Sequence, residues 1–156
     1  MAGRFHWSER SGPAVNARRR LPSLVAAYFA TGRDLLARDP SPVELHRLRL
    51  VTKQLRYTLE LFVPCYGPGL RTRIAELRRV QQLLGEMNDS TATGKLLGKT
   101  ASRGPQQVKI QRYLQARTAR KARAFRKQWT EVFDAPGRER WWTGYLARAA
   151  HAPKRA

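Results

Sequence analysis

Residues 41–62 read SPVELHRLRLVTKQLRYTLELF, and this stretch decides the fold. Ser41 precedes Pro42, and Glu44 follows three residues after Ser41, which is the pattern of a capping box with proline at the first helical position. The apolar positions after it recur with helical spacing and form the expected core face: Leu48, Val51, Leu55, Leu59 and Phe62. We therefore predict a helix that begins after Ser41 and runs to about Phe62.

The segments at the two ends of the chain predict the domain limits. Residues 1–16 contain two glycines and a proline without a sustained period, so they are expected to be flexible. A first helix is expected from about residue 14 to 37, with a kink or a restart because of Pro22. The short basic tail, residues 151–156, is also expected to be flexible. Residues 17–150 then form one helical domain.

A third helix is predicted after the turn that contains Gly67 and Gly69. It runs from about residue 69 to 87. Its apolar side consists of Leu70, Ile74, Leu77, Val80, Leu84 and Met87. We expect Asn88 or Asp89 to interrupt this helix and to cap a fourth, shorter helix that ends near Lys99.

The C-terminal part of the chain predicts two more helices. A linker over residues 100–105 precedes a fifth helix over about residues 105–133, whose apolar side consists of Leu114, Ala122, Phe125, Trp129 and Val132. A last short helix carries Trp141 and Trp142, which are expected to cover the end of the bundle. No stretch alternates as a strand does. The predicted fold class is therefore all-α, a helical bundle of about four to six helices.

The charge of the chain predicts an anionic partner. Its 156 residues include 31 Lys or Arg but only 11 Asp or Glu, a net charge of +20. Such a protein attracts nucleic acid, anionic lipid or an inorganic polyanion. The single cysteine, Cys65, excludes an intrachain disulfide and a cysteine metal site, and we interpret it as a buried thiol.

Two basic stripes concentrate this charge. The stripe of the second helix consists of His46, Arg49, Lys53 and Arg56. The stripe of the fifth helix consists of Lys109, Arg112, Arg120, Arg123 and Lys127. Tyr57 lies next to the first stripe, and Arg78 of the third helix is expected to point into the same groove, whereas Arg73 is expected to be solvated. We expect the two stripes to converge on a common cleft that holds a polyanion; the alternative is that they are solvated faces that keep the protein soluble.

Other function classes find little support in the sequence. Metal-assisted phosphoryl chemistry requires clustered carboxylates, and the acidic residues form no metal-spaced set. A phosphate-binding loop of the GxxxxGK[ST] type is missing. We therefore predict no catalysis, no cofactor and no metal.

No apolar run has the length of a membrane span and the N-terminus lacks an apolar signal core, so the predicted location is the cytoplasm.

Two motifs stand out in this sequence: HRLRLVTKQLRYTLELF at residues 46–62 and LLGEMND at residues 83–89. Together they resemble the motifs of the CHAD domain, the conserved histidine α-helical domain. The resemblance runs from about residue 18 to 97 and, more weakly, to about residue 133. It implies a helical protein that binds inorganic polyphosphate through basic residues lining a central cavity and is not itself a catalyst. Some members associate with polyphosphate granules.

The resemblance also assigns residues. The family's histidine falls at His46, and the motif cations fall at Arg49, Lys53 and Arg56, with Tyr57 following. The Asp of the second motif falls at Asp89, which we interpret as a helix cap or a partner of an arginine. The usual member carries two such repeats around its channel, whereas this chain shows one. Either two chains associate as a homodimer, or one bundle presents an open groove.

The sequence thus predicts a non-catalytic polyphosphate-binding protein, located in the cytoplasm or at polyphosphate granules. The alternative is a nucleic-acid-binding protein that uses the same basic surface. The candidate polyphosphate-binding residues are His46, Arg49, Lys53, Arg56, Tyr57, Arg78, Lys109, Arg112, Arg120, Arg123 and Lys127.

Overall fold

The structure, a computed structural model, describes residues 6–99 and 104–153. Within these ranges it contains six α-helices and no strand, so the predicted all-α bundle is confirmed. The helices are α1 (Pro13–Leu36), α2 (Pro42–Leu61), α3 (Val63–Tyr66), α4 (Pro68–Lys99), α5 (Pro105–Lys127) and α6 (Arg138–Arg148). A π-helical segment, Gln128–Phe133, continues α5. The expected linker lies partly, and the end of the basic tail entirely, outside the described residues.

The capping box at the start of α2 is present as predicted. The Glu44 backbone N–H donates to Ser41 Oγ at 3.3 Å, and the Ser41 backbone N–H donates to Glu44 Oε2 at 2.8 Å. This backbone hydrogen bond, together with Arg38, lowers the pKa of Glu44. The box fixes where α2 begins and hence which of its residues face α4.

The core face of α2 differs from the prediction at one position. Val51 is exposed, whereas Thr52 is completely buried. The Thr52 hydroxyl donates to the Leu48 carbonyl at 2.7 Å and accepts from the Tyr28 hydroxyl at 2.7 Å. Because both polar groups are satisfied, Thr52 can occupy the core-facing position, and Val51 is left on the surface.

A single long helix, α4, replaces the predicted third and fourth helices. Its apolar side, which includes Leu77, Leu84 and Met87, is buried as expected. The predicted break at Asn88 or Asp89 is wrong. The hydroxyls of Ser90, Thr91 and Thr93 each donate to the carbonyl four residues earlier, so these polar side chains bond within the helix instead of capping a new one. In addition, α5 packs along this part of α4, with hydrogen bonds to Glu86 before it and to Leu97 after it.

The first helix also continues where a restart was expected. α1 runs through Pro22 from Pro13 to Leu36, so of the two expected alternatives, a kink or a restart, the restart is wrong and the kink stays a prediction. Leu21, Val25 and Phe29 are completely buried on one side of it. This burial on both sides of the proline outweighs the single backbone hydrogen bond that proline cannot form.

An aromatic cluster joins α1, the π-helical segment and α6. Trp129, Phe133 and Trp142 are buried against Phe29, and the Phe29 and Phe133 ring centroids lie 4.8 Å apart. The Asp134 backbone N–H donates to the Trp129 carbonyl five residues earlier, which widens the helix. As a result Phe133 faces the core and Val132 is exposed, contrary to the prediction, whereas buried Trp142 covers the bundle as expected.

Gly32 allows this cluster to close, because the Trp129 ring lies where a Cβ at residue 32 would be. We expect Gly32→Ala to lower the free energy of unfolding by about 1–3 kcal/mol through overpacking. Gly94→Ala is the matched control, because its Cβ meets no atom within 4 Å. It should raise the free energy of unfolding by up to about 1 kcal/mol through helix propensity. Urea denaturation followed by circular dichroism measures both, and equal effects would contradict the close packing.

Candidate functional site

A groove of about 470 Å³ lies between α2 and α4. Its lining residues are Arg49, Arg56, Arg78, Gln81, Gln82, Gly85, Glu86 and Asp89. Each of the three arginines follows a buried leucine: Leu48, Leu55 and Leu77. One residue further along a helix points about 100° away, so a core leucine places the next side chain at the edge where the two helices meet. The order of residues in the sequence thus directs three cations into one groove.

Arg49 lies over the floor of this groove. Its side chain is partly buried, and its Nε atom is inaccessible without a hydrogen-bond partner among the described residues. Gly85 provides the space beneath it, since a Cβ there would lie 3.5 Å from Arg49 Nε. A buried donor without an acceptor is costly, and a shift of the Arg49 side chain that exposes Nε to an anionic oxygen in the groove would supply the missing acceptor.

Arg56 and Arg78 share one acceptor at the other end of the groove. Glu60 Oε1 accepts from Arg56 Nη1 at 2.6 Å and from Arg78 Nη2 at 3.0 Å. Arg56 Nε also donates to Gln81 Oε1 at 3.0 Å. Partial burial opposes ionisation of Glu60, but the hydrogen bonds from Arg78 and Arg56 outweigh it and hold its pKa below the ordinary value.

The fifth helix reaches the groove through Lys121, a residue that sequence analysis missed. Its Nζ atom lies 2.6 Å from Glu86 Oε2 and lowers the pKa of that carboxyl group. Lys121 lies on the same side of α5 as buried Leu114 and Phe125, and a cation between these two apolar residues was the available signal. Glu86 belongs to the second motif, whose residues therefore connect α4 to α5.

Three of the predicted residues on α2 do not line this groove. His46 lies at a separate cavity of about 160 Å³, together with Asn88 and Thr118. Lys53 and Tyr57 are exposed. The Tyr57 ring has the Arg56 guanidinium 4.3 Å from its centroid and Lys53 Nζ 5.6 Å from it. Tyr57 thus holds two cations at the edge of the groove.

The basic stripe of α5 points elsewhere. All five of its residues are exposed, on the side of α5 opposite Leu114 and Phe125, and none of them lines the groove. Arg123 lines a different cavity of about 380 Å³, beside Asp39. The expectation that both stripes converge on a common cleft is therefore wrong for this stripe, because the apolar side of α5 turns it outward. Its role in binding stays a prediction.

Two further predictions on α4 need correction. Arg73 is buried, not solvated: its guanidinium carbon lies 3.4 Å from the Trp141 ring centroid and 3.8 Å from the Tyr145 ring centroid. This burial lowers the pKa of Arg73 to about 10.

Asp89 is exposed within α4, so it caps no helix. No described cation lies within ion-pair distance of it. By contrast, Cys65 is buried as predicted.

The remaining predictions concern metals and membranes. The described residues contain no group of three or more His, Cys, Asp or Glu side chains arranged to hold a metal ion. None of the helices within those residues combines the length and the apolar character that crossing a bilayer requires.

Comparison with known families identifies the region that contains the groove. The CHAD domain profile matches residues 4–98 of this 156-residue chain. The chain belongs to the CHAD domain family. The match begins before α1 and ends within the last turn of α4, so it includes every residue that lines the groove. CHAD domains are generally binding domains and are associated with polyphosphate. Comparisons with curated proteins and with solved structures found no significant match.

The ion pairs of Glu60 should make stability depend on pH. Its pKa is lowered in the folded protein, so the ion pairs stabilise the fold above the ordinary value of 4.5 and are lost as the pH falls through the lower folded-state pKa. We expect Glu60→Gln to lower the free energy of unfolding at pH 7 by less than about 1 kcal/mol, as for a partly exposed pair. This cost should shrink at pH 3, as measured by urea denaturation.

Glu131→Gln is the control for this measurement. Glu131 is exposed, and within the described ranges no cation lies within ion-pair distance of it. A cost of Glu60→Gln that is equal at both pH values, or equal to that of Glu131→Gln, would contradict the ion-pair interpretation.

Proposed function

We propose that this CHAD domain binds inorganic polyphosphate without catalysis and that the α2–α4 groove holds the anion. The observation that carries the proposal is the single Glu60 oxygen that accepts hydrogen bonds from both Arg56 and Arg78. A phosphoryl oxygen carries the same sign of charge and accepts the same bonds. Arg49 adds a donor with no acceptor among the described residues. A phosphate chain laid along the groove would satisfy all three arginines.

Polyphosphate binding in this groove would proceed by exchange of anions. The chain would displace the Glu60 carboxylate from Arg56 and Arg78, and Lys53 would attract it from the exposed edge. The α5 basic stripe would hold further phosphates mainly by charge, since its side chains are exposed. Recognition would then depend on the charge and spacing of the phosphates. Association with polyphosphate granules is part of the same proposal.

Nucleic acid is the rival ligand, and one observation favours it. Tyr113 is 58% exposed on α5, close to Arg112, where its ring could stack on a base. None of the described residues that line the groove is aromatic, however. A competition experiment at matched phosphate concentration and salt separates the two ligands. Easy displacement of long-chain polyphosphate by single-stranded DNA would favour the rival.

Substitution of Arg49 and Lys53 tests the groove directly. Neither residue has an ion pair among the described residues, so Arg49→Ala with Lys53→Ala leaves no carboxylate unpaired. We expect the double variant to bind polyphosphate about 10- to 100-fold more weakly, because charge-assisted hydrogen bonds are lost. Calorimetric titration at fixed salt measures the affinity, and circular dichroism checks that helicity is retained.

The matched control removes two cations elsewhere. Arg19 and Arg20 are exposed on α1 and likewise make no ion pair within the described part of the chain. Arg19→Ala with Arg20→Ala should weaken binding by no more than about threefold, since only long-range attraction is reduced. Equal losses in the two double variants would mean that the net charge alone binds the anion and would overturn the groove as the site.

A further inference from the structure

The outer side of α2 carries apolar residues that nothing in the described structure covers. Val43, Leu50, Tyr57 and Leu61 are 58%, 48%, 49% and 78% exposed, although the neighbouring surface is strongly charged. Single exposed apolar residues are ordinary, but four on one side of one helix are not. We call these four residues the α2 apolar stripe.

The spacing of this stripe is that of a two-helix seam. Arg47 and Gln54 occupy the positions between its members, so that the six residues follow one another at intervals of 4, 3, 4, 3 and 4. At about 100° per residue they fall within an arc of roughly 80°. A 4–3 repeat of this kind is the pattern by which two helices pack along each other. The inner side of α2 uses different residues, Leu48, Leu55 and Leu59.

We propose that α2 packs antiparallel against α2 of a second copy of this chain through the α2 apolar stripe. In this direction no charged residue of the stripe meets a like charge of the same stripe. Val43 meets Leu61 of the second copy, Leu50 meets Gln54, and Arg47 lies on the Tyr57 ring. A parallel pair would instead place Arg47 against Arg47. An interface in which the same surface serves both copies is the requirement of a twofold dimer.

The flanks of the stripe predict how this dimer responds to salt. Val51, which is 39% exposed, lies on one flank and approaches Val51 of the second copy near the twofold axis. Lys53 lies on the other flank and approaches Lys53 of the second copy. Because two like charges and two strongly basic chains are brought together, association should strengthen with added salt. Polyphosphate binding should weaken with salt, so the two processes can be told apart.

The length of α2 limits the area that the dimer interface can bury, and this area limits the affinity of the dimer. α2 has 20 residues and therefore a length of about 30 Å. A single pair of helices of this length lies at or below the low end of specific interfaces, about 1,200 Å². We therefore expect a weak dimer that dissociates on dilution. It would place the two α2–α4 grooves on one particle without requiring a ligand for its formation.

Disulfide trapping tests the direction and the register of the pair. In a Cys65→Ala background, the double variant Val43→Cys with Leu61→Cys should form a covalent dimer on mild oxidation, seen on a non-reducing gel. Each single variant should remain largely monomeric, because residue 43 meets residue 61 and not itself. Val43→Cys with Leu96→Cys is the control for disulfides that form by random collision of two chains. Leu96 is suitable because it is exposed on α4 outside the stripe.

Sedimentation velocity at high salt supplies an independent readout. We expect Leu50→Glu to abolish self-association and the control Leu96→Glu to leave it unchanged. A chain that stays monomeric at all concentrations, or dimers trapped by Val43→Cys alone, would overturn the proposal. The first result would leave the stripe to another occupant, such as an acidic helix of a different protein. Neither result bears on whether the groove binds polyphosphate.

Discussion

The packing of α2 against α4 is the contact on which the groove depends. Each helix buries a row of leucines, and the residue after each leucine is turned about 100° toward the junction of the two helices. Leu48, Leu55 and Leu77 are thereby followed by the three groove arginines, and Leu84 is followed by Gly85. The hydrophobic contact therefore fixes where the three cations enter the groove.

The distribution of acidic residues supports this arrangement. Six of the 11 acidic residues form ion pairs with described residues: Glu44, Glu60, Glu76, Glu86, Asp134 and Glu139. Most of these pairs join different helices or fix a helix end. Within the part of the chain that the structure describes, only Glu60 and Glu86 neutralise cations beside the groove. The chain thus uses its few carboxylates mainly for architecture and leaves the large positive excess available to a polyanion.

Sequence patterns predicted the local features well where one interaction dominates. The capping box at Ser41 and the buried side of α4 both follow from spacing alone, and the structure confirms both. The same patterns failed at positions whose burial depends on a contact with a residue distant in the sequence. Thr52 replaces Val51 in the core because Tyr28 lies opposite it, and Arg73 is buried because Trp141 and Tyr145 enclose its guanidinium group. Neither partner can be recognised from the sequence of the helix itself.

For the candidate site, the sequence predicted which residues are cationic but not which of them share a surface. Arg49, Arg56 and Arg78 come together, whereas the α5 stripe faces away, because the orientation of α5 depends on Phe125 and Trp129 in the distant aromatic cluster. A crystal structure of the protein with a short polyphosphate tests the central claim most directly. Phosphate oxygens bound by Arg49, Arg56 and Arg78, with the Glu60 carboxylate displaced, is the predicted result. Phosphates found only along the α5 stripe, with Glu60 still bridging its two arginines, would contradict the account.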